Sequence, residues 1–231
     1  MLISALAGRP HIGSDEAGKG DYFGPLVVAA AYADEVALAR LPQVGVVDSK
    51  RLTNASLMKK EEMVRQICPA FEVVQILPPK YNELYAKIGN LNRLLAWAHA
   101  RAIESLLAHP ACAECTLALT DKFGDESHLR RSVMARGRQL ELVQEVRAEA
   151  DPAVAAASVL ARAAFLRAMD RLSAEVGFEL PRGATHVLPT ARQAYRTGGL
   201  PLLGQVAKLH FKTTLQVTGQ SSPTPPRRRS T

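Results

Sequence analysis

One stretch of the sequence limits the fold more than any other: residues 152–177 are long, apolar and rich in alanine. Pro152 suits the first turn of a helix, and Gly177 suits the position that follows a last turn. The spacing predicts one long helix between these two residues. Its small residues, from Ala153 to Ser158, would allow the helix to pack closely against a sheet.

Elsewhere, short apolar runs alternate with helical patterns, which is typical of α/β folds. Strands are predicted for residues 11–15, 26–32, 44–47, 71–77 and 117–120. Further helices are predicted for residues 55–67, 90–107 and 192–197. A turn around Gly24 and Pro25 joins the first two strands, which should therefore be antiparallel. These patterns predict a mixed sheet flanked by helices, with a helical C-terminal portion.

Composition sets further bounds. The chain has 231 residues, 47% of them hydrophobic, which suits one domain with its own core. Residues 216–231 are polar and proline-rich, which predicts a disordered basic tail after a domain of residues 1–215. Three cysteines cannot all pair, so a disulfide-stapled secreted fold is not expected. No apolar run of about 18 residues and no secretory signal is evident, so we expect a cytoplasmic protein without membrane contact. We also expect a monomer.

The charge balance favours a polyanionic partner. There are 29 basic and 22 acidic residues, which give a net charge of +7. Nucleic acid is the polyanion that such a balance favours.

The segment from Ile12 to Asp21 carries most of the chemical information. Its pattern Gly13-x-x-x-x-Gly18-Lys19 matches the start of a phosphate-binding P-loop. The next residue, however, is Gly20, where that motif needs a Ser or Thr for Mg²⁺. Two carboxylates would also lie inside a loop that must bind phosphate anions. A nucleotide-triphosphatase is therefore disfavoured.

Adjacent carboxylates, Asp15 and Glu16, instead suggest a site for a hard divalent cation. Because neighbouring side chains of a regular strand point to opposite faces, we expect the strand to end or bulge there. The glycines of Gly18-Lys19-Gly20 would let backbone approach a nucleic acid closely. The alternative is a solvated acidic turn.

Further acids follow later in the chain. Asp121 comes at the end of an apolar run, where side chains emerge at the ligand-binding end of α/β sheets. Glu149 and Asp151 lie just before the long helix, and Asp151 could simply cap it. Four carboxylates from three segments are what two-metal phosphodiester hydrolysis requires.

The segment from Gly13 to Pro25 resembles the opening motif of the type 2 ribonuclease H superfamily, and its Asp-Tyr-Phe-Gly-Pro ending resembles ribonuclease HIII more than ribonuclease HII. Four later blocks agree and occur in the expected order: residues 48–52, residues 90–99, residues 155–162 and residues 207–212. The resemblance implies an RNase H-like fold and an endonuclease that cleaves the RNA strand of RNA–DNA hybrids with two Mg²⁺ or Mn²⁺ ions.

The resemblance also implies roles for individual residues. The catalytic acids would be Asp15, Glu16, Asp121 and Glu149, of which the first three would bind metal. The spacing from Glu149 to the long helix is one residue short, so Asp151 is an alternative. Contacts to the nucleic acid would come from Gly18, Lys19, Gly20, Lys50, Lys208 and Lys212.

Several alternatives stay open. Ribonucleases HIII usually carry an N-terminal hybrid-binding domain, and only about a dozen residues precede the motif here, so we expect that domain to be lacking. Activity of the ribonuclease HII type, at single ribonucleotides in DNA, is one alternative, and a catalytically silent nucleic-acid-binding module is another. The Cys112-x-x-Cys115 pair is expected to be structural, His99 to be a packing residue, and His210 to be either structural or substrate-facing.

Overall fold

The computed structural model describes residues 8–46, 53–133 and 136–219. Their centre is a five-stranded mixed sheet in the spatial order β3-β2-β1-β4-β5. The strands are β1 (His11–Ala17), β2 (Leu26–Ala33), β3 (Ala70–Ile76), β4 (Leu117–Asp121) and β5 (Glu141–Glu145). β1 is antiparallel to β2 and β2 to β3, whereas β4 runs parallel to both β1 and β5. The predicted mixed sheet is confirmed, and the C-terminal ends of β1, β4 and β5 lie at the same end of the sheet.

Helices cover both faces of this sheet. In the described ranges they are α1 (Glu35–Arg40), α2 (Asn54–Ile67), α3 (Pro78–Ile88), α4 (Leu91–Leu106), α5 (Glu126–Ser132), α6 (Pro152–Val176), α7 (Leu188–Val206) and α8 (Lys212–Thr218). Short 3₁₀ helices occur at Pro42–Val44, Pro110–Cys112, Gly137–Gln139 and Ala148–Ala150. The predicted helical C-terminal portion is thus present as α7 and α8.

Strand β2 lies between two layers of the hydrophobic core, and all eight of its residues are buried. Side chains on one face, such as Val27, join the core formed with α6. Those on the other face, such as Val28, join the core formed with α4. Successive residues of β2 therefore face α6 and α4 in turn.

The long helix α6 packs directly on β1, as its small residues predict. A methyl group added at Gly13 of β1 would collide with the backbone of Ala153 and Val154, so only glycine allows this approach. By length and composition alone α6 could cross a membrane, so the expectation that no apolar run is long enough is wrong. Of that apolar window 83% is buried within the protein, as in the core helix of a globular fold.

Some predicted elements differ from the structure. No strand forms at residues 44–46, where a 3₁₀ helix ends at Val44 and Gly45 adopts a left-handed conformation with φ 68°. Helix α7 begins four residues before the predicted start at residue 192 and continues to Val206, with a break at Gly198 and Gly199. Helix α8 extends to Thr218, past the predicted start of the tail at residue 216, and residues from 220 onward lie outside the described ranges.

Candidate active site

The two adjacent acids lie on a regular strand and therefore point to opposite faces of the sheet. β1 stays in register with β2 through Asp15↔Ala29, Glu16↔Val28 and Ala17↔Val27. The predicted end or bulge of the strand at the acids is therefore wrong. Asp15 faces α6, where the hydroxyl of Ser158 donates to its carboxylate. Glu16 faces α4 instead.

The Asp15 carboxylate is strongly disfavoured in its ionised form. Burial is the main cause, and repulsion from Glu16 adds to it, so the pKa of Asp15 rises to about 6. Hydrogen bonds from Ser158 and from the Glu16 backbone N–H, which lies 2.8 Å from Asp15 Oδ1, only partly offset this. A nearby cation would relieve the remaining cost.

A histidine, by contrast, stabilises the ionised form of Glu16. Its Oε2 lies 3.2 Å from His99 Nε2, and His99 Nδ1 lies 2.8 Å from Ser14 Oγ. Burial alone would raise the pKa of Glu16, but His99 and the Lys19 ammonium, 3.4 Å from Oε1, outweigh it and lower the pKa. His99 is fully buried and stacks on Phe123, so it is both a packing residue and the partner of Glu16.

Asp121 reaches the same face as Asp15 from the neighbouring strand. β1 and β4 are paired in parallel with Ser14 opposite Thr120, so the residues that follow lie on strands about 5 Å apart. Leu119, two residues before Asp121, packs on the α6 side, and Asp121 Oδ1 accepts the N–H of Ala148 at 3.1 Å. The structure therefore brings Asp15 and Asp121 to one end of one face.

The alternative fourth acid, Asp151, is occupied as a helix cap. Its Oδ1 accepts the N–H groups of Ala153 and Val154 and lies 3.0 Å from His11 Nε2. Asp151 is also buried. Glu149 lies in the preceding 3₁₀ helix, next to the residue that binds Asp121, and is half-buried. Of the two candidates, Glu149 is the one outside the cap.

Sequence reasoning missed one acid at this end of the sheet. Glu145 ends β5 and pairs directly with Asp121 in the parallel register. Val143 packs on the α6 side, so by alternation Glu145 faces that side too. The sequence patterns predict no strand at β5, whose sequence is ELVQE, and so give no reason to place Glu145 beside Asp121.

The acids do not form a ready-made metal site. Within residues 8–46, 53–133 and 136–219, no group of three or more His, Cys, Asp or Glu side chains is arranged to hold a metal ion. Asp15 and Asp121 are neighbours, but each is turned toward a protein donor. Their chemistry still fits a hard divalent cation, because the donors are carboxylates and Asp15 carries an uncompensated cost of ionisation.

Two glycines of the loop after β1 differ in the space around them: Gly18 is enclosed by other residues, and Gly20 is open. Gly18 has φ 83°, and a methyl group there would collide with the carbonyl of Pro25 and the ring of Phe165. Around Gly20 a methyl group would meet nothing within 4 Å. Lys19 lies between them and pairs with Glu16.

The C-terminal segment clamps the continuation of this loop. The N–H of Tyr22 donates to Gly183 O at 2.9 Å, and the N–H of Gly183 donates to Asp21 Oδ1 at 2.6 Å. The N–H of Gly24 donates to Val206 O at 2.8 Å. These bonds fix the loop from both sides.

Lys208 belongs to this clamp and not to the surface, which corrects its predicted role as a phosphate contact. It is fully buried, and its Nζ donates to the carbonyl oxygens of Asp21 at 2.7 Å and Gly24 at 2.8 Å. Burial lowers the pKa of Lys208 to about 7, and Asp21 partly offsets this. Lys212 is exposed in the first turn of α8, and Lys50 lies outside the described residues.

Two arginines that the sequence analysis did not single out border the site. A cleft of about 240 Å³ is lined by Glu16, Ala17, Gly18, Asp21, Arg162, Phe165, Leu166 and Arg182. Burial lowers the pKa of Arg162, Arg182 lowers it further, and Asp15 partly offsets both. Two guanidinium groups thus stand beside the acidic end of the sheet.

The remaining motifs are the Cys112-x-x-Cys115 pair and His210. Cys112 and Cys115 are buried free thiols, and burial raises the pKa of Cys112 to about 12, as expected for structural cysteines. His210 is exposed, with its ring stacked on Tyr85 at a centroid distance of 4.1 Å.

Comparisons with known proteins point to one family. The sequence profile of the family described as Ribonuclease HII matches residues 12–214. A ribonuclease HIII of Protochlamydia amoebophila is 39% identical over 212 residues, which are 91% of this chain and 69% of that protein. A ribonuclease HIII of Chlamydia abortus is 41% identical over 212 residues, covering 90% and 70% of the two chains.

Solved structures give the same result. The crystal structure of Bst-RNase HIII in complex with Mn²⁺ is similar with a TM-score of 0.87 and 33% sequence identity. The match covers 95% of this chain and 72% of that one.

Proposed function

From the premise that this chain belongs to the ribonuclease HII family, we propose that the acids at the C-terminal ends of β1 and β4 are its catalytic centre. The chain is a ribonuclease H, a metal-dependent endoribonuclease that hydrolyses the RNA strand of RNA–DNA hybrids. The observation that carries the proposal is the parallel pairing of β1 with β4, which sets Asp15 and Asp121 side by side on the α6 face.

In this proposal Asp15, Asp121 and Glu149 hold two divalent ions, Mg²⁺ or Mn²⁺, and Glu16 completes the set from the other face. When bound, such ions lower the pKa of an attacking water and stabilise charge on the leaving oxygen. Asp15 is prepared for a cation because burial and Glu16 make its own negative charge costly.

The surrounding residues orient the acids and the phosphate. His99 fixes the Glu16 carboxylate, and Ser14 fixes His99 in turn. The Ala148 N–H holds one oxygen of Asp121. Arg162 and Arg182 line the cleft, and their positive charge would attract the negatively charged backbone phosphate of a substrate. The open face of Gly20 leaves room for a ribose at the loop.

The test is cleavage of a labelled RNA–DNA duplex with Mg²⁺ and with Mn²⁺. We expect Asp121→Asn to lower kcat by about a hundredfold or more, because a neutral amide is a poor ligand for these ions. Binding of the duplex in EDTA should persist. If Asp121→Asn cuts as fast as the parent, the proposed centre is wrong.

A matched pair of variants tests the fourth acid. Glu149→Gln should lose far more activity than Asp151→Asn, whose effect should appear mainly in stability because Asp151 caps α6. The reverse ranking would assign the catalytic role to Asp151.

The substrate preference is tested by digesting two duplexes in parallel. One carries a continuous RNA tract, and the other carries a single ribonucleotide in DNA. On the likeness to ribonucleases HIII we propose faster cleavage of the continuous tract. Faster cleavage at the single ribonucleotide would favour an activity of the ribonuclease HII type.

A further inference from the structure

We propose that a basic cleft between α4 and α5 is a second binding site for backbone phosphates, which holds the duplex away from the cleavage point. The cleft has a volume of about 450 Å³ and is lined by Arg93, His128, Arg131 and Ser132. This inference rests on the proposed function, because a ribonuclease H must hold a polyanionic duplex. The chemistry of the lining indicates an anionic ligand, because the lining contains cationic and hydrogen-bond-donating side chains and no carboxylate.

Among the described residues, no acid forms an ion pair with Arg93 or Arg131, although Asp125 lies near enough to attract Arg131 and His128. Arg131 Nη2 donates to Ser127 Oγ at 2.9 Å and to His128 Nδ1 at 3.0 Å, neither of which is a carboxylate. The acid of the same helix, Glu126, is paired with Arg130 at 2.6 Å. The Arg131 guanidinium is therefore oriented by the protein while its charge stays available.

The same bond sets the state of His128. Because Nδ1 accepts from Arg131, the proton of the neutral ring resides on Nε2, which can donate to an anion. Arg93 and Arg131 are exposed, and His128 is half-buried between them and the body of the protein. Two guanidinium groups and one imidazole thus present only donors to a ligand in this cleft.

The cleft lies at the catalytic end of the molecule. Arg93 is in the first turn of α4, six residues before His99, which contacts Glu16. Six residues of helix span about 9 Å, or about three nucleotide steps along a strand. In the same region, the side chain of Asn92 packs against Gly124, just after Asp121 at the end of β4. A duplex cut at the acids would reach the cleft within a few base pairs.

The connection between β4 and β5 supports the same ligand by its charge. Residues 122–138 contain five basic and two acidic residues, a large share of the net charge of +7 of the chain. Two further arginines of this connection, Arg136 and Arg138, are exposed but lie outside the cleft, Arg136 beside Cys112 and Cys115 and Arg138 beside Arg130. Such a concentration favours a strand of phosphates over a single small anion.

The test compares Arg93→Gln/Arg131→Gln with Arg40→Gln/Arg101→Gln, a control of equal charge change at exposed positions of α1 and α4. Binding of a labelled RNA–DNA duplex is measured in EDTA by fluorescence anisotropy across a salt series, and kcat and KM are measured with metal. We expect the cleft variant to bind about tenfold more weakly and to lose about two units of salt slope, one for each phosphate contact. Its kcat should stay unchanged, and the control should match the parent.

Three outcomes would overturn the inference: an unchanged salt slope, an equal loss in the control, or a fall in kcat without a change in KM. Weaker binding of an acidic polypeptide with undiminished binding of the duplex would assign the cleft to a protein partner and would also overturn it. Because binding is measured without metal, the result does not depend on whether the proposed catalytic centre is right.

Discussion

Gly18 and Gly20 lie in the same loop, but we expect Gly18 to matter for folding and Gly20 for binding of the substrate. Gly18 has a left-handed conformation and no space for a side chain, so Gly18→Ala should lower the free energy of unfolding by about 2 kcal/mol or more. Gly20→Ala meets no protein atom and should change stability by less than about 0.5 kcal/mol.

The informative measurement is the effect of Gly20→Ala on cleavage of the duplex. If the loop contacts the RNA strand, the added methyl group should raise KM several-fold while Tm stays constant. Unchanged KM and kcat in Gly20→Ala would remove this loop from the substrate contacts.

Lys208 and Lys212 are both predicted from the sequence to contact phosphates, and the structure contradicts that prediction for Lys208. Lys208→Met removes the donor to the carbonyls of Asp21 and Gly24, so these buried acceptors lose a partner. We expect Tm to fall by several degrees, since a buried unsatisfied group costs about 1–3 kcal/mol. Activity should fall because the loop is no longer fixed.

Lys212→Met is the matched control, because Lys212 is exposed. It should leave Tm unchanged and lower the salt slope of duplex binding by about one if Lys212 contacts a phosphate. A stable Lys208→Met protein with a reduced salt slope would instead restore Lys208 to the surface contacts.

At the scale of an element, the start of α6 depends on a buried pair between His11 and Asp151. His11 Nδ1 lies 2.7 Å from the carbonyl oxygen of Arg9, and Nε2 lies 3.0 Å from Asp151 Oδ1. Both partners accept hydrogen bonds, so the protonated ring satisfies both. Burial lowers the pKa of His11, but Asp151 and the Arg9 carbonyl outweigh it and raise the pKa above its usual value of 6.5.

This raised pKa predicts how stability depends on pH. The pair contributes fully below the pKa of an unfolded histidine, about 6.5, and the contribution is lost as pH rises through the higher pKa of the folded state. Urea unfolding of the parent should show this loss as pH rises above about 6.5. His11→Gln should be less stable at low pH and should lack that part of the slope. An identical pH dependence in both proteins would contradict the protonated pair.

Elements were predictable where one physical signal dominated. The alanine-rich pattern of α6 predicts a helix and the continuous apolar run of β2 predicts a strand, and the structure has both. β5 was missed because its residues ELVQE are polar at both ends, and it becomes a strand only through its pairing with β4. The apolar residues 44–47 suggested a strand, but Pro42 and Gly45 start and end a 3₁₀ turn there.

For the whole molecule, the sequence identified acids but not their directions. Asp15, Glu16 and Asp121 were recognisable from motifs, whereas the split of Asp15 and Glu16 to opposite faces depends on the register of β1 with β2. The burial of Lys208 depends on a contact with residues more than 180 positions earlier, which no local pattern encodes. Metal site, monomeric state and cytoplasmic location stay predictions.

Burial and repulsion at Asp15 should be visible in the stability of the whole protein. A carboxyl group with its folded pKa raised to about 6 destabilises the fold when ionised, so the penalty is present above about pH 6 and absent below about pH 4. Asp15→Asn should therefore be about 1–2 kcal/mol more stable than the parent in EDTA at roughly pH 8 and no more stable at roughly pH 4.

Metal should reverse this ranking. A cation that binds only the folded parent raises its stability by about 2.7 kcal/mol at a hundredfold excess over Kd, whereas Asp15→Asn offers one ligand fewer. Saturating Mn²⁺ should raise the Tm of the parent and leave that of Asp15→Asn nearly unchanged. Asp170→Asn, at an exposed position on α6, is the control and should follow the parent in both conditions. An equal Mn²⁺ shift in Asp15→Asn would place the metal elsewhere, and an unstable Asp15→Asn in EDTA would show that Asp15 serves the fold and not a cation.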